Sequence, residues 1–421
     1  MTHYLTKSLA LLGLALATSA WAAPDAKLIK QGEYLARAGD CFACHSVTGG
    51  KPFAGGLGME TPIGKIYSSN ITPDKKAGIG TWSFEDFDKL MRTGVTKAGY
   101  TVYPAMPYPS YSRLSQADMQ ALYAYFMHGV KPDPTPSRDS DIVWPLSMRF
   151  PLAIWRWAFA PKPEPYQPPA TNTANAQILR GAYLVEGLGH CSSCHTPRGF
   201  AMNEKAGDSS QAKFLAGGDL NGWPVPSLRG LPRWSEAAIV DYLQTGRNAT
   251  SAVAGEMTAV VAHSTAHLDD ADLQSIAAYL KTLSPATPRT ATVKAQGVEA
   301  TAKKLTAATN LTLGERLYLD NCAACHFVNG KGASRVFPVL DGATVANAES
   351  PAGLIHVIMQ GARTPSTDKA PSILVMPGFG KRLDDQEVAA LASFVRQGWS
   401  NTGAPVTERE VAKVRKMVKA D

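Results

Sequence analysis

Six cysteines occur in this 421-residue chain, and all six fall in three copies of one pattern. The copies are Cys41-Phe42-Ala43-Cys44-His45, Cys191-Ser192-Ser193-Cys194-His195 and Cys322-Ala323-Ala324-Cys325-His326. Cys-x-x-Cys-His is the attachment sequence of a c-type haem. The two thiols add to the vinyl groups of one porphyrin, and the histidine takes one face of the iron. The pattern predicts three covalently bound haem c groups. They are held by Cys41 and Cys44, Cys191 and Cys194, and Cys322 and Cys325, with His45, His195 and His326 as iron ligands. Other cysteine chemistry fits less well. Zinc wants four ligands, usually as two facing pairs. A disulfide framework belongs to small secreted domains with poor cores. A thioredoxin-like motif would not carry the same following histidine three times.

An electron carrier keeps the second face of its iron closed, and a methionine thioether there favours the ferrous state. The first candidate is Met106, in the proline-stiffened Tyr103-Pro104-Ala105-Met106-Pro107. Met59 and Met91 are its rivals, and Met91 reads as core. The third is Met376, in Met376-Pro377-Gly378, with Met359 read as mid-helix core. In between, Met257 follows Gly246 by eleven residues, much as Met106 follows Gly94 by twelve. His263 and His267 are alternatives there, His190 adjoins the motif, and Met202 lies too close to His195 to cross a haem. Arg198 is a candidate propionate partner. No catalytic residue is expected.

Aligning the motifs exposes a repeat. A short helical segment opening on glycine precedes each motif, at Gly32, Gly181 and Gly314. A Gly/Pro-rich loop and a closing helix follow it. The closing helices share a start signal, a cap with an acid three residues on: Ser115 with Asp118, Asp269 with Asp272, Asp384 with Glu387. Apolar residues then recur at helical spacing, as in Met119, Leu122, Tyr123 and Phe126. Ten residues past each cap stands an aromatic, Tyr125, Tyr279 or Phe394, expected to pack near the first helix of its own module. Modules one and two also share a helix from Trp82-Ser83 to Thr93-Gly94 and from Trp234-Ser235 to Thr245-Gly246. Module three keeps only the end of it, at Met359-Gln360-Gly361.

The predicted fold class is all-α, with three tandem cytochrome c-type haem domains joined by Pro-rich and Ala/Thr-rich linkers. The boundaries read as signal peptide 1–22, domain one 27–130, a linker with a Trp-rich strap 131–173, domain two 174–283, a linker 284–308, domain three 309–400 and a polar tail 401–421. Lys7, the apolar run Ser8 to Ala20 and Ala20-Trp21-Ala22 compose a cleaved secretory signal. The run is too short for a bilayer. Export fits a haem attached outside the cytoplasm, so the expected location is the bacterial periplasm. The tail from Val406 reads as a solvated helix. The strap Trp144 to Phe159 is expected to lie over domain one, to meet another subunit, or to touch a membrane interface. The formal charge of +7 is scattered, and six haem propionates offset it, so no nucleic-acid partner is expected.

With these residues in place, the chain resembles the three-haem cytochrome c subunit of bacterial membrane-bound dehydrogenases for alcohols, gluconate, sorbitol or fructose. The resemblance rests on Gly39-Asp40-Cys41, Ala105-Met106-Pro107-Tyr108-Pro109-Ser110, the Trp144–Phe159 strap, His195-Thr196-Pro197-Arg198-Gly199 and Val375-Met376-Pro377. It implies a catalytic partner holding flavin or pyrroloquinoline quinone, at times with a small third subunit, at the outer face of the inner membrane. Electrons would pass through the haems to ubiquinone. Some members carry a C-terminal anchor, whereas this chain ends in a polar segment. The alternatives are an electron-transfer subunit of a molybdenum hydroxylase for aldehydes or N-heterocycles, and a multihaem peroxidase with one open iron.

Overall fold

The computed structural model describes residues 25–164, 175–220, 222–285 and 295–418, so the expected signal segment lies outside the described residues. In each module a leading helix ahead of the motif crosses a closing helix behind it. The pairs are Ala26–Ala38 with Gln116–Ala124, Ala176–Tyr183 with Asp270–Thr282, and Leu313–Asn321 with Asp385–Gln397. Gly314 falls near its helix start, as expected. Gly32 and Gly181 instead lie inside longer helices, because residues capped by Asp25 and Asn175 extend them backwards.

Glycine stands at these three points because the helices touch there. A Cβ on Gly32 would fall inside the carbonyl of Ala121, 2.7 Å from the Cβ of Tyr125. On Gly181 it would meet the carbonyl of Ser275, 2.7 Å from the Cβ of Tyr279. On Gly314 it would meet the carbonyl of Ala390, 3.0 Å from the Cβ of Phe394. The three aromatics thus pack on the leading helices of their own modules, at the crossing. The closing helices start where the capping signals place them. Ser115, Asp269 and Asp384 accept from the backbone N–H of Asp118, Asp272 and Glu387.

A third helix completes each module: Phe84–Thr93, Glu236–Thr245 and Ala352–Gln360. Ser83 and Ser235 cap the first two. Module three therefore has the whole helix, not only its end. It begins at Pro351 with no side-chain cap, so the signal that marks its counterparts is missing. All three stop at a glycine with positive φ (68°, 71° and 78° at Gly94, Gly246 and Gly361), which other residues rarely adopt; at Gly94 and Gly246 it is a left-handed cap.

The fold is helix-rich but not purely α. Short strands edge the modules: Gly58–Thr61 with Gly64–Tyr67 and Asp141–Ile142, Gly218–Leu220 with Trp223–Val225, and Ala362–Arg363 with Val375–Met376. Asp141–Ile142 belongs to the first linker, so that linker is stitched to module one. Asn70 adds to the seam by donating to the carbonyls of Asp133 and Thr135 at 2.9 and 2.8 Å.

Two expectations for module three need correction. The segment read as an Ala/Thr-rich linker contains a helix, Ala295–Ala307, whose Leu305 is buried in the third core. The tail read as solvated contains a helix, Glu408–Val418, whose Val411 and Val414 are buried in the same core. Arg415 ties it down by pairing with Asp385 and donating to Leu383 O at 2.9 Å. The tail is polar in composition, but Val411 and Val414 share one face and bury it.

Among the described residues the buried side chains form two cores. One runs without a break through modules one and two, from Leu35 to Leu283; the other belongs to module three. Modules one and two meet through equivalent residues on a pseudo-two-fold pattern. Tyr34 of the first leading helix donates to Asp272 at 2.7 Å, and Tyr183 of the second donates to Asp118 at 2.6 Å. Beside them Arg113 of module one pairs at 3.0 Å with Glu186 of module two, whose side chain is only 1% exposed. A buried carboxylate persists only when partnered, and Tyr279 also donates to Glu186. In module three the tyrosine position is Arg316, and Glu387 is spent on its own helix cap. Its contacts with module two include exposed ion pairs, Arg335 with Asp241 and Lys369 with Asp270.

The glycine crossings set a direct test. Gly181→Ala drives a methyl into the Ser275 backbone and should cost about 3 kcal/mol of stability, as overpacked core positions do. Chemical denaturation of the haem-loaded protein measures this; an unchanged midpoint would contradict the crossing.

Candidate haem sites

Each motif is one turn of helix wedged against the end of a leading helix. Cys41–His45 begins after Asp40, which has φ 51°. Ser192–His195 follows Cys191 and His190, the latter at φ 37°. Ala323–His326 follows Cys322. In all three, the turn sets two cysteines and a histidine on consecutive levels of one short helix. None of the six thiols is in a disulfide. Burial pushes the thiols of Cys41, Cys44, Cys191 and Cys322 up to about 12, so they are not thiolates at neutral pH. That suits sulfur destined to be a neutral thioether. Among the described residues no group of three or more His, Cys, Asp or Glu could hold a free metal ion.

The histidines share a further feature. His45 Nδ1 donates to Ser69 O at 2.7 Å, His195 Nδ1 to Pro226 O at 2.7 Å, and His326 Nδ1 to Pro338 O at 2.8 Å. A carbonyl can only accept, so the proton sits on Nδ1 and the Nε2 lone pair is left for iron. Such a bond fixes both the tautomer and the ring orientation of a ligating histidine. Burial holds all three imidazoles below their ordinary pKa, which keeps them neutral and able to ligate. The sequence motif names these histidines but not the carbonyls, which lie 24, 31 and 12 residues further on.

The candidate sulfurs occupy equivalent places. Each follows the glycine that ends the middle helix and a short antiparallel turn. In module one Val95 bridges Thr101, and Met106 packs against the core. In module two Arg247 bridges Ala252, and Met257 opens the helix Met257–His263. In module three Met376 pairs with Ala362 across the two-stranded ladder. Met106, Met257 and Met376 are all partly buried. Their rivals are placed otherwise. Met91 and Met359 are buried core residues, Met59 sits in a strand, and Met202 is exposed in a turn. His263 packs against Phe42 of module one, the rings tilted at 41° with centroids 5.0 Å apart, and His267 Nε2 donates to Ala262 O at 3.1 Å.

Arg198, read from the sequence as a propionate partner, is engaged with the backbone of its own module. It donates to Met202 O and to Ser193 O, inside the second motif, so it braces that turn. Three further donors are candidates for the propionates. Tyr108 Oη and the Nε atoms of Arg156 and Arg247 are buried without a protein partner. Buried donors require an acceptor, and a haem carboxylate supplies one. The free thiols, the neutral histidines and these orphaned donors all fit a covalently bound haem.

Comparison with known proteins agrees. Residues 29–129 and 311–399 match the cytochrome c family, and residues 176–280 match the family of cbb3-type cytochrome c oxidase subunit III. Each matched stretch contains one motif. The chain is 49% identical to the gluconate 2-dehydrogenase cytochrome c subunit of Pantoea cypripedii, over 96% of this chain and 95% of that one. It is 47% identical to the cytochrome c subunit of the quinone alcohol dehydrogenase of Gluconacetobacter polyoxogenes, over 96% and 87%. It is 36% identical to the fructose dehydrogenase cytochrome subunit of Gluconobacter japonicus, over 92% and 82%. The chain belongs to this family of cytochrome c electron-transfer subunits of dehydrogenases.

Proposed function

We propose that the chain takes electrons from a catalytic subunit holding flavin or pyrroloquinoline quinone, which oxidises an alcohol, sugar or sugar acid, and delivers them to ubiquinone. The work is done at the periplasmic face of the inner membrane by three cytochrome c domains, 27–130, 174–283 and a third enlarged by its flanking helices. The observation that carries this reading is the threefold recurrence of a free thiol pair with a histidine whose Nδ1–H is held by a backbone carbonyl. Haem iron, when bound, supplies reversible one-electron oxidation and reduction. Cys41, Cys44, Cys191, Cys194, Cys322 and Cys325 would hold the porphyrin. Nε2 of His45, His195 and His326 and the sulfurs of Met106, Met257 and Met376 would ligate the iron. Likeness over most of both chains to gluconate, alcohol and fructose dehydrogenase subunits favours this reading over a molybdenum hydroxylase partner.

The strap supplies the membrane contact. Its inner side is a true strap: Trp155 Nε1 donates to Ala201 O of module two at 2.7 Å, and Tyr103 of module one donates to Leu146 O. Among the described residues nothing covers the outer side of the helix Phe150–Phe159, with Trp157 85% exposed and Phe150 and Ile154 on the same stripe. Trp144 (79%) and Phe200 (97%) add to it. Residues 142–163 contain Arg149, Arg156 and Lys162 and no acid. Exposed indole with basic flanks suits an anionic bilayer surface. Among the described residues no helix is long and apolar enough to cross a membrane.

Isolation of the native complex from membranes should yield a large flavin- or quinone-containing subunit; a molybdenum-containing partner would overturn the proposal. Met376→Ala should leave the third haem attached but lower its potential, because sulfur ligation favours the ferrous state; an unshifted potentiometric titration excludes Met376 as ligand. Trp144→Ser with Trp157→Ser should reduce co-sedimentation with phosphatidylglycerol vesicles several-fold, and undiminished binding would remove the strap from the membrane contact.

A further inference from the structure

Modules one and two bring their motif approaches together at one point. The leading helix of module one ends at Gly39, whose N–H returns to Leu35 O, leaving its carbonyl directed away from the helix. His190 Nε2 of module two donates to that carbonyl at 3.2 Å. Gly39 is two residues before Cys41, and His190 is one residue before Cys191. A Cβ on Gly39 would lie 3.1 Å from Leu188 of module two and 3.6 Å from the sulfur of Cys41, so the two modules approach closely here. His190 holds a strained φ of 37° to reach this position. Strain of this kind persists only where the surroundings over-determine it. Tyr111 of module one donates to the same carbonyl at 3.0 Å and meets the His190 ring edge-on, centroids 5.7 Å apart. The shared core and the Tyr34–Asp272 and Tyr183–Asp118 bonds hold the two modules in register around it.

We infer that the Gly39 carbonyl to His190 hydrogen bond is an electron bridge between the first two haem sites. It joins Cys41, Asp40 and Gly39 on one side to His190 and Cys191 on the other, a continuous bonded path interrupted by one hydrogen bond. One electron leaves a ferrous site and reduces a ferric one. No covalent bond forms or breaks, and the bridging proton stays on Nε2. His190 thus serves as a positioning residue between the sites. The module-three counterpart of His190 is Asn321, which donates to Leu317 O of its own helix, so this position makes no bridge to another module among the described residues. The inference rests on haem being attached at both motifs.

The test uses the holo-protein and flash photoreduction, following the phase in which the electron redistributes between haems. His190→Phe, or His190→Leu where the larger ring is not accommodated, removes the donor and should slow that phase several-fold. His190→Gln can still donate to Gly39 and should restore it. Haem content and midpoint potentials should match wild type in each variant, which separates lost coupling from lost folding. Tyr111→Phe removes the off-path donor to the same carbonyl and should leave the phase unchanged. An unslowed phase in the Phe or Leu variant, no recovery with Gln, or equal slowing in Tyr111→Phe overturns the bridge. Fewer than three haems on the wild-type protein would instead overturn the reading on which it rests.

Discussion

A backbone carbonyl that holds the Nδ1–H of each motif histidine is the constraint on which this molecule turns. Without it an imidazole is free to rotate and to place either nitrogen outward. With it the ring has one orientation and one basic nitrogen, and burial keeps that nitrogen unprotonated. The accepting carbonyls of Ser69, Pro226 and Pro338 come from loops well downstream of the motifs. The long Gly/Pro-rich segments after each motif therefore do structural work. They return the chain to the histidine and then lead on to the middle helix, its positive-φ glycine and the methionine turn.

The three modules are built alike but assembled unequally. Modules one and two share a core and exchange tyrosine–carboxylate bonds through equivalent positions. Module three carries Arg316 where the others carry Tyr34 and Tyr183, and it completes its own core with two extra helices. Its ion pairs to module two are exposed, and such pairs contribute little each. The unit formed by modules one and two is thus held by buried interactions, and the third module by weaker polar ones together with local packing such as Trp223 against His356.

Much of this was legible in the sequence because its signals are local. Capping pairs three residues apart, an aromatic ten residues past the cap and glycines at fixed distance from a motif all report on one or two turns of helix. They placed the closing helices and named the helix crossings. Sequence reasoning failed where the signal is not local or is overridden. The module-three middle helix starts at Pro351 with no cap, so nothing marks its beginning. The C-terminal helix looks solvated by composition, yet Val411 and Val414 are enough to dock it. The bond from Tyr34 to Asp272 spans 238 positions, and no periodicity reveals it. Arg198 reads from its neighbourhood as a propionate partner, and the bond it makes to the motif's own backbone carries no sequence signal.

The central claim is that all three motifs carry covalent haem on one polypeptide. Intact mass of the mature protein, combined with its pyridine haemochrome absorbance, tests it most directly. The account predicts three haem groups per chain, none released by acidic acetone. A mass with two or fewer, or haem that extracts into the solvent, would contradict it.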